Sequence, residues 1–265
     1  MHPTRWQAAI IEAVRDDGVT RIAALAERLG VSDETVRRHV RALVDAGTLS
    51  RAHGGVAWAG AVSEAPFHRR MRVNAPAKRA LAAAVADHVE DGQVLLIDTG
   101  STTAYVAQAL DARRDLTVIT NSLEIARHLV GRNGNRIYMA GGELRADLAA
   151  AVGPEADAFI RQFRADLAIL SIAAVDGSGL FMDFDLDEAR IARTMIECAN
   201  ECLVVADHSK FGRRAAVGIC GPGDIDILVT DREPPADFAA RVEGTELRLV
   251  VTGAEETAPE LDATG

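Results

Sequence analysis

Short apolar runs alternate with stretches of helical periodicity from residue 78 onward. The run Val94–Ile97 is typical, since it has the length of a buried strand and ends at a polar segment. This alternation favours an α/β fold, with a mostly parallel sheet covered by helices on both faces. The predicted strands are 94–97, 116–119, 137–139, 167–172, 203–206, 225–229 and 247–251, and the predicted helices lie near 77–90, 102–111, 122–131, 155–163, 186–200 and 235–242.

The first 58 residues instead show three short helical patterns followed by two extended pieces. Only residues 29–32 separate the second pattern from the third, which is typical of the tight turn in a helix-turn-helix. Thr20 and Ser32 are placed to cap these two helices, and Gly30 is placed to end the first of them. The glycine-centred segment 48–58 is typical of a β-wing.

The third helix is the candidate DNA-reading element. In a helix-turn-helix this helix enters the major groove, where its N-terminal residues meet base edges. Val36 and Val40 face inward, which leaves arginines outside that can pair with guanine or bind a phosphate. The candidate DNA-binding residues are Ser32, Thr35, Arg37, Arg38 and Arg41 on the helix and Arg51 and His53 on the wing. The alternative is a small three-helix bundle with solvated arginines.

The net charge of −10 argues, taken alone, against a nucleic-acid partner. However, residues 1–58 carry a net charge of +1 and the rest of the chain carries −11. All eight basic residues of the first segment are arginines, and the chain has only two lysines, Lys78 and Lys210. The acidity therefore belongs to the second segment, and we expect DNA binding that depends strongly on salt.

Polar residues follow several of the predicted strands. The carboxyl ends of parallel strands meet at one sheet edge, where such sheets bind ligands, and free N–H groups at a helix N-terminus attract anions. These residues suit a small phosphorylated polyol or sugar, although ordinary helix caps and turns are the alternative. The candidates are Asp98, Gly100, Ser101, Thr102, Thr103, Thr120, Asn121, Gly141, Gly142 and Lys210.

Two further groups of residues invite a chemical interpretation. The acidic cluster Asp183, Asp185, Asp187 and Glu188 is compatible with compensation of a helix dipole, and also with proton transfer in an isomerase. Cys198 and Cys202 lie one helical turn apart, but no third ligand is evident, so we expect buried structural thiols and no metal.

Both segments resemble the DeoR family of bacterial repressors. The stretch VSDETVRRHVRALVDAGTLSRAHGGV resembles the DNA-binding domain of that family, with departures at His39 and Val56. The second segment matches the sensor domain at Lys78, the D-x-G-S-T-T run of 98–103, Thr120-Asn121, Gly141-Gly142-Glu143 and Asp207-x-Ser209-Lys210-Phe211, and departs from it at Ser171. The resemblance implies a winged helix-turn-helix at 1–58, a linker at 59–76 and a sensor domain at 77–252, similar in fold to ribose-5-phosphate isomerases and CoA-transferases. The tail 253–265 is expected to be disordered.

The resemblance also implies a function, namely repression of a carbohydrate or glycerol catabolic operon that a phosphorylated metabolite relieves. The segments GGELR, FIRQFRADLAIL, FDLDEARIAR and DHSKFGRRA, which begin at 141, 159, 184 and 207, resemble family members that respond to sn-glycerol 3-phosphate. On this basis Lys78, Asp185 and Glu188 join the candidate effector site, with both acids near effector hydroxyls. The alternatives are a different sugar phosphate as effector, or a sugar-phosphate isomerase.

The expected partners are double-stranded operator DNA and a second copy of the chain, in a dimer or tetramer, because groove-reading modules pair on half-sites. No catalytic residue, cofactor or metal is implied. No apolar stretch has the length of a membrane span, and the N-terminus lacks the apolar core of a signal peptide. Three cysteines are too few for a disulfide framework. Together, these three observations predict a cytoplasmic protein with no membrane partner.

Overall fold

The structure is a computed structural model that describes residues 5–17, 20–45, 48–52, 55–58 and 64–253. Its internal contacts divide the chain into two units, residues 1–73 and residues 74–265. None of the helices in the described part of the chain combines the length and the apolar character that crossing a bilayer requires. All but the first residue of the tail predicted to be disordered lies outside the described residues.

The first unit contains three helices and a hairpin, followed by one short helix. These elements are α1 (Arg5–Asp17), α2 (Ile22–Leu29), α3 (Asp33–Asp45), β1 (Leu49–Ala52), β2 (Gly55–Trp58) and α4 (Phe67–Arg70). The helices bury Ile10, Leu25 and Val36 in one core with Leu49 and Val56 of the antiparallel hairpin. The predicted winged helix-turn-helix is therefore confirmed.

The turn between α2 and α3 is built as predicted. Gly30 adopts a left-handed conformation with φ of 63°, and its N–H donates to carbonyls in the last turn of α2. Ser32 Oγ accepts the backbone N–H of Thr35 at 3.3 Å, which caps the start of α3.

The predicted cap at Thr20 is wrong. Arg21 occupies the N-cap position of α2, and Thr20 exchanges two backbone hydrogen bonds with Val56 of β2, at 2.9 and 3.0 Å. Thr20 thus extends the hairpin pairing, and its carbonyl accepts the Val56 N–H, while the Leu25 N–H of α2 donates to the Arg21 carbonyl.

The predicted linker 59–76 is partly helical. Residues 59–63 lie outside the described residues, but α4 falls within this interval and the next helix begins at Ala75. A helix of one turn gives no periodicity that a sequence pattern can show. Phe67, the first residue of α4, is buried.

The second unit alternates helices and strands. Its elements are α5 (Ala75–Asp87), β3 (Val94–Ile97), α6 (Ser101–Ala109), β4 (Thr117–Thr120), α7 (Leu123–Leu129), β5 (Arg136–Met139), β6 (Glu143–Arg145), β7 (Ala150–Val152), α8 (Pro154–Ile160), β8 (Ala165–Ser171), β9 (Ala174–Val175), β10 (Phe181–Asp183), α9 (Leu186–Glu197), β11 (Ala199–Val205), β12 (Val217–Cys220), β13 (Ile227–Thr230), α10 (Ala236–Val242) and β14 (Arg248–Val251). A seven-stranded sheet has the order β14-β13-β11-β8-β3-β4-β5, and every pairing within it is parallel.

Alternate residues of the central strands enter two separate cores. Leu95 and Ile97 of β3 pack with α5, α6 and α7 on one face. Leu96 of β3, with Ala168 and Leu170 of β8, packs with α8, α9 and α10 on the other face. This two-residue alternation is what a strand buried on both faces requires, and it confirms the predicted α/β layering.

Two smaller antiparallel sheets were not predicted. One is the pair β6-β7, and the other has the order β12-β10-β9. Their strands have two to four residues, which is too short for a periodic pattern. The helix predicted at 186–200 ends at Glu197, because Ala199 already pairs with Ala165 as the first residue of β11.

Candidate functional site

The large sheet reverses its winding direction between β3 and β8. From β3 the chain adds β4 and β5 on one side, and it then returns to the other side of β3 to add β8, β11, β13 and β14. Open parallel sheets bind ligands at the carboxyl ends of the strands at such a reversal. A cleft here is lined by Asp98, Thr99, Asn121, Ser171, Asp183, Glu188, Ile191 and Ala192.

Asp98 and Ser171 connect the two central strands across this cleft. Asp98 follows β3, and its carboxylate accepts the backbone N–H of Ser171, the last residue of β8, at 3.0 Å. Burial raises the pKa of Asp98 well above its ordinary value of 3.8, hydrogen bonds from Ser171 oppose the shift, and the charge of Asp183 adds to it.

Gly100 allows the loop after β3 to lie against the end of β8. A Cβ atom at Gly100 would lie 1.9 Å from Ser171 Oγ and 3.1 Å from Thr103 Oγ1. A larger residue would therefore displace the Ser171 side chain, which forms part of the cleft wall.

The first turn of α6 is a buried helix N-terminus rich in hydroxyl groups. Ser101, Thr102 and Thr103 expose at most 6% of their surface, and Thr103 Oγ1 donates to the Asp98 carbonyl at 3.1 Å. Ser101 Oγ accepts a 2.8 Å hydrogen bond from Nζ of Lys78, a residue of α5 that is only 3% exposed. A buried ammonium group beside a helix N-terminus suits a phosphate group.

Thr120 ends β4 and Asn121 follows it, and both residues are fully buried. Thr120 Oγ1 accepts the backbone N–H of Ser122 at 3.0 Å, so Thr120 supports the loop. Asn121 Nδ2 donates to the Ala151 carbonyl at 3.0 Å, whereas Asn121 Oδ1 is buried with no hydrogen-bond partner in the described part of the chain. Asn121 is the residue of this pair that lines the cleft.

Lys210 lies at the same sheet edge, in a single 3-10 turn after β11, and is half-buried. Its neighbour Asp207 accepts hydrogen bonds from the backbone N–H of Ser209 at 2.9 Å and from Asn74 Nδ2 at 3.0 Å. Burial acts to raise the pKa of Asp207, but hydrogen bonds from Ser209 and the charge of Lys210 hold it below its ordinary value. Lys210 is not among the residues that line the cleft.

The acidic cluster before α9 divides into two roles. Asp185 caps the helix by accepting the N–H groups of Asp187 and Glu188, at 2.9 and 3.2 Å, and it forms an ion pair with Arg145. This arrangement fits the helix-dipole interpretation for Asp185. Asp183 and Glu188 line the cleft, whereas Asp185 does not.

Gly141 and Gly142 follow β5 but do not line the cleft. Gly142 has a φ of 138°, and a Cβ atom there would lie 2.5 Å from the Val152 carbonyl oxygen. The glycine therefore lets the chain pass close to β7.

Five lining residues were not predicted from the sequence, namely Thr99, Ser171, Asp183, Ile191 and Ala192. Ser171 stands out in the sequence only as a departure from the family pattern, and Asp183 only as one member of an acidic run. Ile191 and Ala192 could have been found from Glu188, since they lie three and four residues further along the same helix.

The cysteines form no metal centre with other residues in the described ranges, where no group of three potential ligands is found. Cys198, Cys202 and Cys220 are free and buried, and burial raises the pKa of Cys202. The expectation of buried thiols at Cys198 and Cys202 is confirmed.

The third helix of the first unit presents the other candidate site. Arg37, Arg38 and Arg41 are exposed on α3, while Thr35 is half-buried and Ser32 is exposed at the helix cap. The three arginines form no ion pair or hydrogen bond with any residue that the structure describes. Arg51 lies in β1, and His53 lies outside the described residues.

Comparison with known families identifies both units. A model of the DeoR-like helix-turn-helix domain matches residues 7–60, and a model of the DeoR C-terminal sensor domain matches residues 73–232. The chain belongs to the DeoR family. It is therefore a helix-turn-helix transcriptional repressor with a sensor domain for a small-molecule effector.

Three named relatives align with most of the chain. The HTH-type transcriptional repressor CsqR of Escherichia coli is 36% identical, over 91% of this chain and 93% of that protein. The glycerol-3-phosphate regulon repressor of Escherichia coli is 36% identical, over 89% of this chain and 93% of that protein. The transcriptional repressor AccR of Agrobacterium fabrum is 38% identical, over 85% and 88%. These names favour a regulator over the isomerase alternative.

Among solved structures, ribose 5-phosphate isomerase A from Methanocaldococcus jannaschii aligns with a TM-score of 0.39 and 19% identity, over 52% of this chain and 55% of that chain. A similarity of this size supports no conclusion about the activity of the DeoR-family protein.

Proposed function

We propose that this DeoR-family repressor binds double-stranded operator DNA and is released by a phosphorylated polyol or sugar, with sn-glycerol 3-phosphate as the first candidate. The observation that carries the effector part is the buried Lys78 ammonium group, which lies 2.8 Å from Ser101 at the N-terminus of α6. Its positive charge beside the N-terminus of a helix suits the negative charge of a phosphate group.

The DNA-binding part rests on α3 and the hairpin. Arg37, Arg38 and Arg41 supply exposed guanidinium groups, and Ser32 and Thr35 lie at the helix end that approaches base edges in a helix-turn-helix. Residues 1–58 carry a net charge of only +1, so their long-range attraction to DNA is weak. Pairing of at least two copies on a palindromic operator would supply the missing affinity.

The effector part assigns the two ends of the ligand to different residues. The phosphate lies at Lys78 and at the N–H groups of Ser101, Thr102 and Thr103, with Lys210 as a second cation at the same edge of the sheet. The hydroxylated end lies in the cleft, where Asp98, Asn121 and Glu188 offer acceptors. Gly100, Thr120, Gly141, Gly142 and Asp185 support the surrounding loops in this proposal.

Sequence identity alone does not choose the effector, because CsqR and the glycerol-3-phosphate regulon repressor are both 36% identical to this chain. The name of the second relative and the segments that resemble it motivate sn-glycerol 3-phosphate. The cleft supports the broader class, since it offers hydrogen-bond acceptors for several ligand hydroxyls.

Release from DNA requires that the effector bind two states of the repressor with different affinity. The first turn of α5 is suited to transmit this difference. Lys78 donates its backbone N–H to the Asn74 carbonyl at 3.0 Å, and the Asn74 side chain bonds Asp207 in the loop that carries Lys210. A phosphate held by both lysines would therefore act on the residues with which the second unit begins.

Fluorescence anisotropy with a labelled operator fragment tests the proposal. Addition of sn-glycerol 3-phosphate should lower the anisotropy at constant protein concentration, whereas glycerol and inorganic phosphate at equal ionic strength should not. A panel of other sugar phosphates identifies the effector if sn-glycerol 3-phosphate has no effect at millimolar concentration. If no phosphorylated polyol or sugar in the panel releases the DNA, the proposed class of effector is wrong.

A further inference from the structure

Asn121 has one polar side-chain atom that has no hydrogen-bond partner among the described residues. The residue is fully buried, and it follows β4 directly. Its Nδ2 donates to the Ala151 carbonyl at 3.0 Å, and its own backbone carbonyl accepts the Ala151 N–H at 2.9 Å. Its Oδ1 is buried and accepts no hydrogen bond from the described residues.

The orientation of the amide follows from chemistry. The Ala151 carbonyl can only accept, so the Asn121 side chain must turn its NH₂ group toward it. A flipped amide would place two acceptor oxygens against each other. Asn121 lines the cleft, and its Oδ1 has no hydrogen-bond partner among the described residues, so Oδ1 can accept a hydrogen bond from an occupant of the cleft.

A buried carbonyl without a donor is destabilising, and native proteins rarely leave one unsatisfied except where function requires it. The neighbours within the cleft cannot satisfy Oδ1 when they are ionised, because Asp183 and Glu188 are then acceptors as well. Two hydroxyl groups also line the cleft, but Thr99 Oγ1 donates to the Leu148 carbonyl at 3.3 Å and Ser171 Oγ donates to Asp98 at 3.5 Å. None of the described residues that line the cleft is basic. A donor on the ligand would therefore supply the missing hydrogen bond.

We propose that Asn121 Oδ1 accepts a hydrogen bond from a hydroxyl group of the effector and thereby makes the sensor select hydroxylated phosphates over their deoxy analogues. The inference rests on the proposed function and adds a specificity-determining atom to it. A site built to bond a hydroxyl discriminates strongly against a ligand that lacks it, because the buried protein group then remains unpaired.

The ligand side of the test needs no protein variant. Isothermal titration calorimetry on the intact repressor compares sn-glycerol 3-phosphate with 3-hydroxypropyl phosphate and 2-hydroxypropyl phosphate, which each lack one hydroxyl. D-ribose 5-phosphate and 2-deoxy-D-ribose 5-phosphate form a second set. In the set whose parent compound binds, we expect at least one deoxy compound to have a dissociation constant at least ten times that of the parent. Equal binding within twofold by all members of that set overturns the inference.

The protein side uses Asn121→Leu, which keeps the approximate side-chain volume and removes the acceptor. The preference for the hydroxylated ligand should shrink to within about threefold in this variant, mainly because the deoxy ligand no longer leaves Oδ1 unpaired. Asn135→Leu is the matched control, since Asn135 bonds the Leu116 N–H at the opposite end of β4 and should leave the preference unchanged.

The outcomes separate the inference from the proposed function. If the wild-type protein is released from DNA by a phosphate but does not discriminate, the inference fails and the function stands. A wild-type preference that persists in Asn121→Leu also overturns the inference, because another group must then read the hydroxyl. If neither parent phosphate binds or releases DNA, the inference falls together with this effector class. Should Asn121→Leu not fold, the ligand comparison decides alone.

Discussion

Replacing Lys78 by methionine tests whether the buried ammonium group holds the effector phosphate. Methionine matches the length of the lysine stem but carries no charge and no donor. Lys78→Met removes the 2.8 Å hydrogen bond to Ser101 and the positive charge at the N-terminus of α6. Lys210→Met is the matched control, because it removes the only other lysine of the chain.

The two lysines should differ in magnitude because their surroundings differ. Lys78 is 3% exposed, so a charge-assisted hydrogen bond from it to phosphate is screened little and is worth about 1.5–3 kcal/mol. Its loss should weaken effector binding roughly 10- to 150-fold, at about 1.4 kcal/mol for each factor of ten. Lys210 is half-buried and lies beside the ionised Asp207, so its contribution should stay below about 1 kcal/mol, or roughly fivefold.

Calorimetric titration with sn-glycerol 3-phosphate, or with the phosphate that releases the operator, measures both dissociation constants. Thermal unfolding without ligand verifies that each variant is folded. Operator affinity without effector should remain normal, and the effector concentration needed for release should rise in proportion to the dissociation constant. A folded Lys78→Met protein that binds the effector within twofold of wild type would refute the assignment of Lys78 to the phosphate.

Four further predictions concern the two units. Arg38→Ala should leave the free energy of unfolding within about 0.5 kcal/mol of wild type, because the exposed side chain has no partner among the described residues. The same change should weaken operator binding by about 1–3 kcal/mol. Anisotropy titrations at several salt concentrations measure this, with Arg190→Ala in α9 as the control that should bind normally. Gly30→Ala should destabilise the protein by about 1–2 kcal/mol in urea unfolding, because φ of 63° is unfavourable for alanine, and an unchanged midpoint would contradict the left-handed turn. The pKa of Asp98 is higher in the folded than in the unfolded protein, so Asp98 should take up a proton on folding. Its contribution to the free energy of unfolding is therefore fully present below pH 3.8 and is lost as the pH rises through the raised pKa. Asp98→Asn should flatten that part of the stability profile, and an unchanged slope would contradict the raised pKa. Asn74→Ala should bind the effector normally in calorimetry but should need a higher effector concentration to release operator DNA. Release at the wild-type concentration would show that the Asn74–Asp207 hydrogen bond does not couple effector binding to DNA release.

The large sheet could be predicted because its strands are buried on both faces. Val94–Ile97 and Leu203–Val205 are unbroken apolar runs, which only a fully covered strand or a buried helix can accommodate, and their length selects the strand. The strand order follows from pairings between residues far apart in the chain, such as Leu95 with Leu167, and no local pattern reports it. The small sheets have strands too short to carry a pattern.

The sequence predicts those residues of the candidate site that directly follow a strand. It does not predict the residues that reach the site only because distant parts of the chain come together in the folded protein. Asp98 and Asn121 were found because polar residues at the carboxyl end of a strand are positioned by the parallel sheet itself. Ser171 belongs to the same site because it bonds Asp98 across the reversal point, at a separation of 73 residues. The burial of Lys78 likewise depends on how α5 packs, so the sequence pointed to Lys78 only through the scarcity of lysine and the resemblance to the DeoR family.

Asn121 illustrates why hydrogen-bond accounting in three dimensions adds information about function. A polar residue between a strand and a helix is ordinarily expected to cap the helix. The N-cap of α7 is Ser122, whose Oγ accepts the Ile125 N–H at 3.5 Å, so Asn121 is not needed for that purpose. Its NH₂ group is bound to Ala151. The fold buries Asn121 completely, and its Oδ1 accepts no hydrogen bond from the described residues. The residue is therefore retained at a cost that binding of a donor would offset.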